Sequence, residues 1–458
     1  VDAIRERDPA PGDVFALNDP FAGGTHLPDV TFVSPITGEG RHAAESSGQR
    51  SSGDDDEIVA YAVSRAHHAD VGGTAPGSMP AGAREIQQEG LRIPPVRLVA
   101  DGAVQSDVLD LLLANVRNPA ERRADVQAQL GANERGARRI GELLADHGDR
   151  LLGAFDAVVD YSRQRMVSEI EGLPDGEYAA STTVEGDGVT DDDVSIEVTV
   201  TVDGGALTVD FAGTAQQVPG NVNAPIAVAE SAVYYVVRCI TDSTIPPNQG
   251  CYDPITVDAP LGSLLNPEPP AAVVGGNVET SQRVTEVVFA ALAEAAPERV
   301  PAEGQGTMNN LVVGGPDFTY YETIGGGGGA TPARDGASGV QVGMTNTRNT
   351  PVEALEAEYP LRVTEYALRA DSGGPGRHRG GDGLVRELVV ETDATVSLLT
   401  DRRRTPPTGR AGGGDGTVGT NAIDGEPVGA KLTRQGESGT VVRVETPGGG
   451  GYGDPSAE

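Results

Sequence analysis

Val194-Ser195-Ile196-Glu197-Val198-Thr199-Val200-Thr201-Val202 alternates apolar and polar residues without a break, stops at Asp203-Gly204-Gly205, and resumes as Leu207-Thr208-Val209. Strict alternation is the period of a strand with one buried face, and a Gly-Gly step supplies the backbone freedom of a tight turn. The stretch therefore predicts an antiparallel β-hairpin. On either side the period becomes helical. Upstream, Asn118-Pro119 is a cap and first-turn pair for a helix over 121–145, and a second helix runs on to about residue 171, where Pro174-Asp175-Gly176 stops the pattern. Downstream, amphipathic helices are expected near 226–241 and 279–296. Val14-Phe15-Ala16-Leu17 and the run 58–66 are short apolar strands, and the last third is short strands cut by glycine. The expected class is α+β, multi-layered and rich in antiparallel sheet, with several amphipathic helices. Four regions are expected: 1–118, 119–171, 172–300 and 301–458.

The charge is one-sided. Sixty-eight acidic residues face 34 basic ones, a net charge of −34, and Lys431 is the single lysine. Such a surface repels phosphate backbones, so nucleic acid is excluded as a partner. An acidic, lysine-poor surface is what a protein tuned to molar salt carries; an ordinary acidic protein is the alternative. Aromatic residues make up 4% and Trp is absent, which leaves the core to Val, Leu, Ile and Ala. Two cysteines, Cys239 and Cys251, form neither a disulfide framework nor a zinc knuckle, and the one in a helical stretch is expected to be a small buried hydrophobe. No apolar run reaches the roughly 18 residues of a membrane span, so a cytoplasmic protein is expected. The chain opens at Val1 directly into a structured pattern, and a preceding segment is expected. The polar stretch Gly38–Glu57 has the composition of a solvated insertion.

Polar chemistry concentrates in the first hundred residues. Asn18-Asp19-Pro20-Phe21-Ala22-Gly23-Gly24-Thr25-His26-Leu27-Pro28-Asp29 places carboxylates, an amide and a histidine around a Gly-Gly bend. Ser64-Arg65-Ala66-His67-His68-Ala69-Asp70-Val71-Gly72-Gly73 follows a strand. Three of the six histidines fall in these two segments, which is why the site is sought there. His67 and Asp70 are three apart, a spacing at which one turn can direct both to an ion; a pair of hydrogen-bonded structural residues is the alternative. Arg65, Arg92 and Arg348 are the groups suited to an anionic phosphate or carboxylate, or else ordinary surface arginines. The run Gly325–Gly329 is followed by no Lys, so it is not a nucleotide-cradling loop.

Taken in order, these segments, with Pro76-Gly77-Ser78-Met79-Pro80, Gln88-Glu89-Gly90-Leu91-Arg92-Ile93-Pro94-Pro95, Gly275-Gly276-Asn277-Val278-Glu279-Thr280-Ser281-Gln282-Arg283, Met344-Thr345-Asn346-Thr347-Arg348 and the terminal Gly450-Gly451-Tyr452-Gly453-Asp454-Pro455, resemble the hydantoinase B/5-oxoprolinase family. The resemblance implies the B-type subunit of an ATP-dependent cyclic amidohydrolase. In that family an A-type partner binds ATP and activates the substrate, and the B-type chain completes the reaction on a small cyclic amide. Related ketone-carboxylase subunits, and a non-catalytic scaffold for the A-type partner, are the alternatives. The resemblance also implies a divalent metal (Zn, Mn or Fe) held by His67 and Asp70; His26, Asp29 and His68 are expected as supporting neighbours, because the strand ending at Ala66 and the Gly23-Gly24 bend converge there. This sequence departs from the pattern at Arg92, where the family places a second His, and at Gly343, where many relatives carry a His. The catalytic residues themselves remain unassigned.

Overall fold

Phe15, Leu17 and Val33 bury one face of a five-stranded antiparallel sheet against Ile4. In the computed structural model, residues 1–38 and 57–456 are described, so the stretch 39–56 of the expected insertion lies outside the described residues. This first sheet belongs to a compact unit made of Val1–Gly72, Gly90–Arg165 and Ile245–Asp253. After α1 (Asp2–Arg5), its strands are β1 (Val14–Leu17), β2 (Asp29–Thr37), β3 (Ile58–His67), β4 (Val96–Ala100) and β5 (Ala103–Val104), in the spatial order β3-β2-β1-β4-β5. Three helices follow: α2 (Ser106–Ala114), α3 (Pro119–His147) and α4 (Arg150–Ile170), the last within this unit as far as Arg165. Asn118 and Pro119 open α3 as expected. α3 lies on β2 and β3 and fastens them with two buried amides one turn apart. Gln129 donates to the Val30 carbonyl at 3.0 Å, and Asn133 to the Phe32 and Ala62 carbonyls, both at 3.2 Å. The ends of β2 and β3 are therefore held in fixed register.

The second unit comprises Gly73–Glu89, Met166–Thr244 and Pro254–Glu458. Its first sheet is ordered β6 (Gly176–Glu185), β7 (Asp193–Asp203), β8 (Ala206–Asp210) and β9 (Ile255–Asp258), with β8 and β9 parallel and the rest antiparallel. The alternating run 194–209 forms β7 and β8, joined across Gly204-Gly205, and Val194, Ile196, Val198, Val200 and Val202 are all buried. α5 (Ile226–Ile240) packs on α6 (Ser281–Leu292), which covers β6 and β7. A π-helical turn, Gly276–Thr280, precedes α6. Cys239 on α5 is exposed, which corrects its expected burial; Cys251 is the buried one, and both thiols are free.

Two further antiparallel sheets complete this unit. One is ordered β11-β10-β14-β17, from β10 (Asn310–Gly314), β11 (Thr319–Thr323), β14 (Ala394–Leu399) and β17 (Lys431–Gly436). The other is ordered β12-β13-β18-β15-β16, from β12 (Leu361–Arg369, preceded by α7, Val352–Glu358), β13 (Gly383–Val390), β15 (Thr420–Ile423), β16 (Glu426–Val428) and β18 (Val441–Glu445). Leu311, Val396 and Leu398 of the first sheet meet Leu388, Val442 and Val444 of the second in one core. At about 1.5–3 kcal/mol for each fully buried aliphatic side chain, this contact is a main source of the unit's stability. The two glycine runs pack backbone to backbone: a Cβ on Gly449 would sit 2.1 Å from the Gly328 carbonyl oxygen. Lys431 at the start of β17 points inward, its side chain 3% exposed, and donates to the Glu185 carbonyl (2.9 Å) and to Asp401 (3.4 Å). The protein is thus α+β with mostly antiparallel sheets. No helix among the described residues is long and apolar enough to cross a membrane.

Candidate metal centre

The bend that begins at Asn18 builds one wall of the site. Asp19 accepts from the Phe21 backbone N–H (3.0 Å) and caps a short 3-10 turn, Pro20–Ala22. Gly24 must lack a side chain, because a Cβ there would lie 2.6 Å from the Asn18 carbonyl oxygen. Asn18 closes the loop by donating to the Leu27 carbonyl (2.8 Å) and accepting from the Ile93 backbone (2.6 Å). This returns the chain so that His26 lies just before β2, and Asp29 starts that strand. Asp29 and His67 are direct cross-strand neighbours in the antiparallel β2–β3 ladder, an arrangement that brings side chains within a few ångströms.

Three potential ligand atoms converge there. His67 Nδ1 lies 3.2 Å from Asp29 Oδ1, His26 Nε2 lies 3.3 Å from His67 Nδ1, and His26 Nε2 lies 3.5 Å from Asp29 Oδ1. The two rings are 5.1 Å apart and stacked. A tetrahedral ion with bonds near 2.0–2.1 Å needs neighbouring ligand atoms about 3.3–3.4 Å apart, so the three separations fit such an ion. Among the described residues, these are the His, Asp, Glu or Cys side chains grouped closely enough to hold one. Three protein ligands leave a fourth position open, the pattern of a reactive rather than a structural site. Thr25 Oγ1 donates to Asp29 Oδ2 at 2.9 Å and orients the carboxylate.

The electrostatics suit a cation. Burial alone would raise the Asp29 carboxyl, but His26 and His67 outweigh it and hold it well below the ordinary carboxylate range. Burial lowers the His67 imidazole, against the opposing pull of Asp29. A neutral imidazole is the form that ligates a metal. His26 is buried, and its Nδ1 has no hydrogen-bond partner.

The structure brings His26 and Asp29 to His67 and commits Asp70 to other work. Asp70 Oδ1 accepts from the Gly72 and Arg117 backbones (both 2.9 Å), and Oδ2 pairs with Arg117 Nη1 (2.9 Å). The carboxylate expected to share an ion with His67 therefore fastens the chain after α2, and Asp29, expected as a supporting neighbour, faces the imidazole. His68 turns to Gln129 at 2.8 Å. Arg65, two residues before His67 on β3, shares its face of the sheet and donates to Thr31 at 2.9 Å. Arg92 lies 3.5 Å from Asp19. Arg348 is exposed and belongs to the second unit.

The model of the family described as hydantoinase B/oxoprolinase matches residues 1–455. The chain belongs to that family. It is 40% identical to 5-oxoprolinase 1 of Arabidopsis thaliana, across 96% of this chain and 35% of the plant protein. It is 34% identical to the B-type subunit of a putative D-/L-hydantoinase from a Pseudomonas strain, across 97% of this chain and 76% of that one. Among solved structures, an ATP-dependent caprolactamase from Pseudomonas jessenii superposes with a TM-score of 0.87 at 30% identity, covering 99% of this chain and 80% of that one. The chain thus spans about a third of the length of the plant 5-oxoprolinase. Within this hydantoinase B/oxoprolinase unit, sequence reasoning missed Arg117 as the partner of Asp70. It also had a usable signal for the triad and did not follow it: His26 and Asp29 carry the same three-residue spacing as His67 and Asp70.

Proposed function

We propose that this chain is the ring-opening subunit of an ATP-dependent cyclic amidohydrolase and works with an A-type partner that binds ATP. The observation that carries this reading is the His26–Asp29–His67 triad, sized for a divalent cation, in a chain related over nearly its whole length to a 5-oxoprolinase. An amide carbonyl resists water because resonance stabilises it, and phosphorylation of its oxygen by the partner removes that resonance. His26, Asp29 and His67 would hold a Zn, Mn or Fe ion, which would supply Lewis acidity to the ring opening that follows. The residues of this chain do the rest. Thr25 fixes the Asp29 carboxylate, the Asp29–His67 pairing fixes the imidazole, and Arg65 on the same sheet face offers a guanidinium to an anionic substrate group. Water attacks the activated carbon, the C–N bond of the ring breaks as the nitrogen takes up a proton, and a second water hydrolyses the acyl phosphate so formed, releasing phosphate and the free carboxylate. The substrate is a small cyclic amide of the 5-oxoproline or hydantoin kind.

The test is reconstitution with an A-type partner, ATP and either ring, following ADP release and ring opening separately, with metal content measured on the purified chain. His67→Ala and Asp29→Ala should lose bound metal and ring opening at least a hundredfold while ATP turnover persists. Ring opening that survives His67→Ala in the folded protein would sink the proposal.

A further inference from the structure

Asp29 and His67 form the last pair of the β2–β3 ladder, and the end of a ladder is where a sheet opens most readily. A metal site tolerates little such opening, because ligand atoms must stay within about 0.5 Å of their working positions. What closes this end is a side chain of α3, on the helix that lies on β2 and β3. Gln129 Nε2 donates to the Val30 carbonyl at 3.0 Å, and His68 Nε2 donates to Gln129 Oε1 at 2.8 Å. The His68 backbone N–H donates to the Pro28 carbonyl at 2.8 Å. Pro28 and Val30 flank Asp29, so both neighbours of one ligand are tied to the residue that follows the other. Three hydrogen bonds thus close a ring around the terminal pair. The ring is shielded from water, with Gln129 6% and His68 4% exposed. Both ends of the amide are spent. A carbonyl only accepts, which fixes the amide nitrogen on Val30 and leaves the oxygen to take the hydrogen of His68 Nε2. An ionised glutamate would lose the donor here, and a lysine the acceptor.

We propose that Gln129 is a positioning residue for the metal centre: through His68 and Val30 it holds His67 and Asp29 at ligand spacing without touching the ion. The proposal rests on the triad reading, and the experiment separates the two. The probe is cobalt(II) alone, titrated into the chain without partner or ATP. Its affinity reports how tightly the ion is held, and its visible absorption band how nearly tetrahedral the site is. Gln129→Met keeps the length and apolar packing of the side chain and removes both bonds. It should weaken cobalt(II) about 10- to 100-fold, the range for groups that orient metal ligands, and diminish the tetrahedral band. Gln129→Glu keeps the acceptor for His68 and gives up the donor to Val30, so it should fall between the parent and Gln129→Met. Asn133→Leu is the control. Asn133 braces the same two strands one turn along α3, at the Phe32 and Ala62 carbonyls, away from the ligands. Its loss should lower the melting temperature and leave cobalt(II) affinity unchanged. A parent that binds cobalt(II), with a folded Gln129→Met that binds it equally well, would overturn the assignment and leave the triad standing; if Gln129→Met does not fold, Gln129→Glu decides by the same criterion. A loss in Asn133→Leu as large as in the Gln129 variant would also overturn it, since both amides would then be ordinary braces. A parent that binds no cobalt(II) would remove the triad reading and this assignment with it.

Discussion

His67 and Asp70 stand three residues apart, and so do His26 and Asp29, yet the fold uses the two pairs differently. Spacing shows that a pair can face one way; it does not show what waits there. The β2–β3 register puts Asp29 opposite His67, and the chain after α2 puts Arg117 against Asp70. Both partners come from sequence-distant elements, so the rarity of histidine located the site while its membership was not legible. Asp70→Ala should therefore cost stability, about 2–3 kcal/mol for a buried carboxylate whose arginine remains partly hydrated. Metal content should be unchanged, by denaturant titration and elemental analysis on one preparation. A second residue-level prediction concerns Glu89. It is buried, accepts from the Val273 and Val274 backbones (2.9 Å each), and burial pushes its pKa up to about 8. A carboxyl raised in the folded state binds its proton more tightly there than in the unfolded chain. Its ionisation therefore erodes stability as pH rises from about 4.5 towards 8, by up to roughly 1.4 kcal/mol per unit. Glu89→Gln abolishes that loss, so the melting temperature of the variant relative to the parent should climb between pH 5 and pH 8. A constant offset would mean Glu89 is already ionised in the fold.

Among the elements, period decided what could be foreseen. The alternation at 194–209 and the helical patterns near 121–145, 148–171 and 226–241 all became the elements expected, because burial on one face and sequence period are the same fact. What period does not carry is partnership. Nothing in Leu207-Thr208-Val209 indicates that β8 runs parallel to β9, some fifty residues on. Helix α6 begins past a π turn that no local signal announces. The glycine runs were legible as special and not as to why: Gly325–Gly329 and Gly448–Gly451 are glycine because two backbones touch. Gly449→Ala would force a methyl into the Gly328 carbonyl. It should lower stability by about 3 kcal/mol or more, visible as a several-degree drop in melting temperature. An unchanged melting curve would show that these loops part at little cost.

At the scale of the whole molecule, self-repulsion dominates. A net charge of −34 on 458 residues opposes compaction at low ionic strength, and the Debye length shrinks from about 10 Å at 0.1 M to about 3 Å at 1 M salt. Melting temperature should accordingly rise steeply from low to molar KCl, and a flat or falling curve would assign the acidity to something other than a high-salt habitat. The same skewed composition leaves one lysine, and the fold hides it: Lys431 sits inside, bound to Glu185 and Asp401, at the start of the edge strand β17. Amine-directed reagents thus find no lysine side chain on the folded surface. Acylation of Lys431 must wait for β17 to lift from β14, so a single covalent mark, counted by mass, becomes a clock for the opening of that sheet.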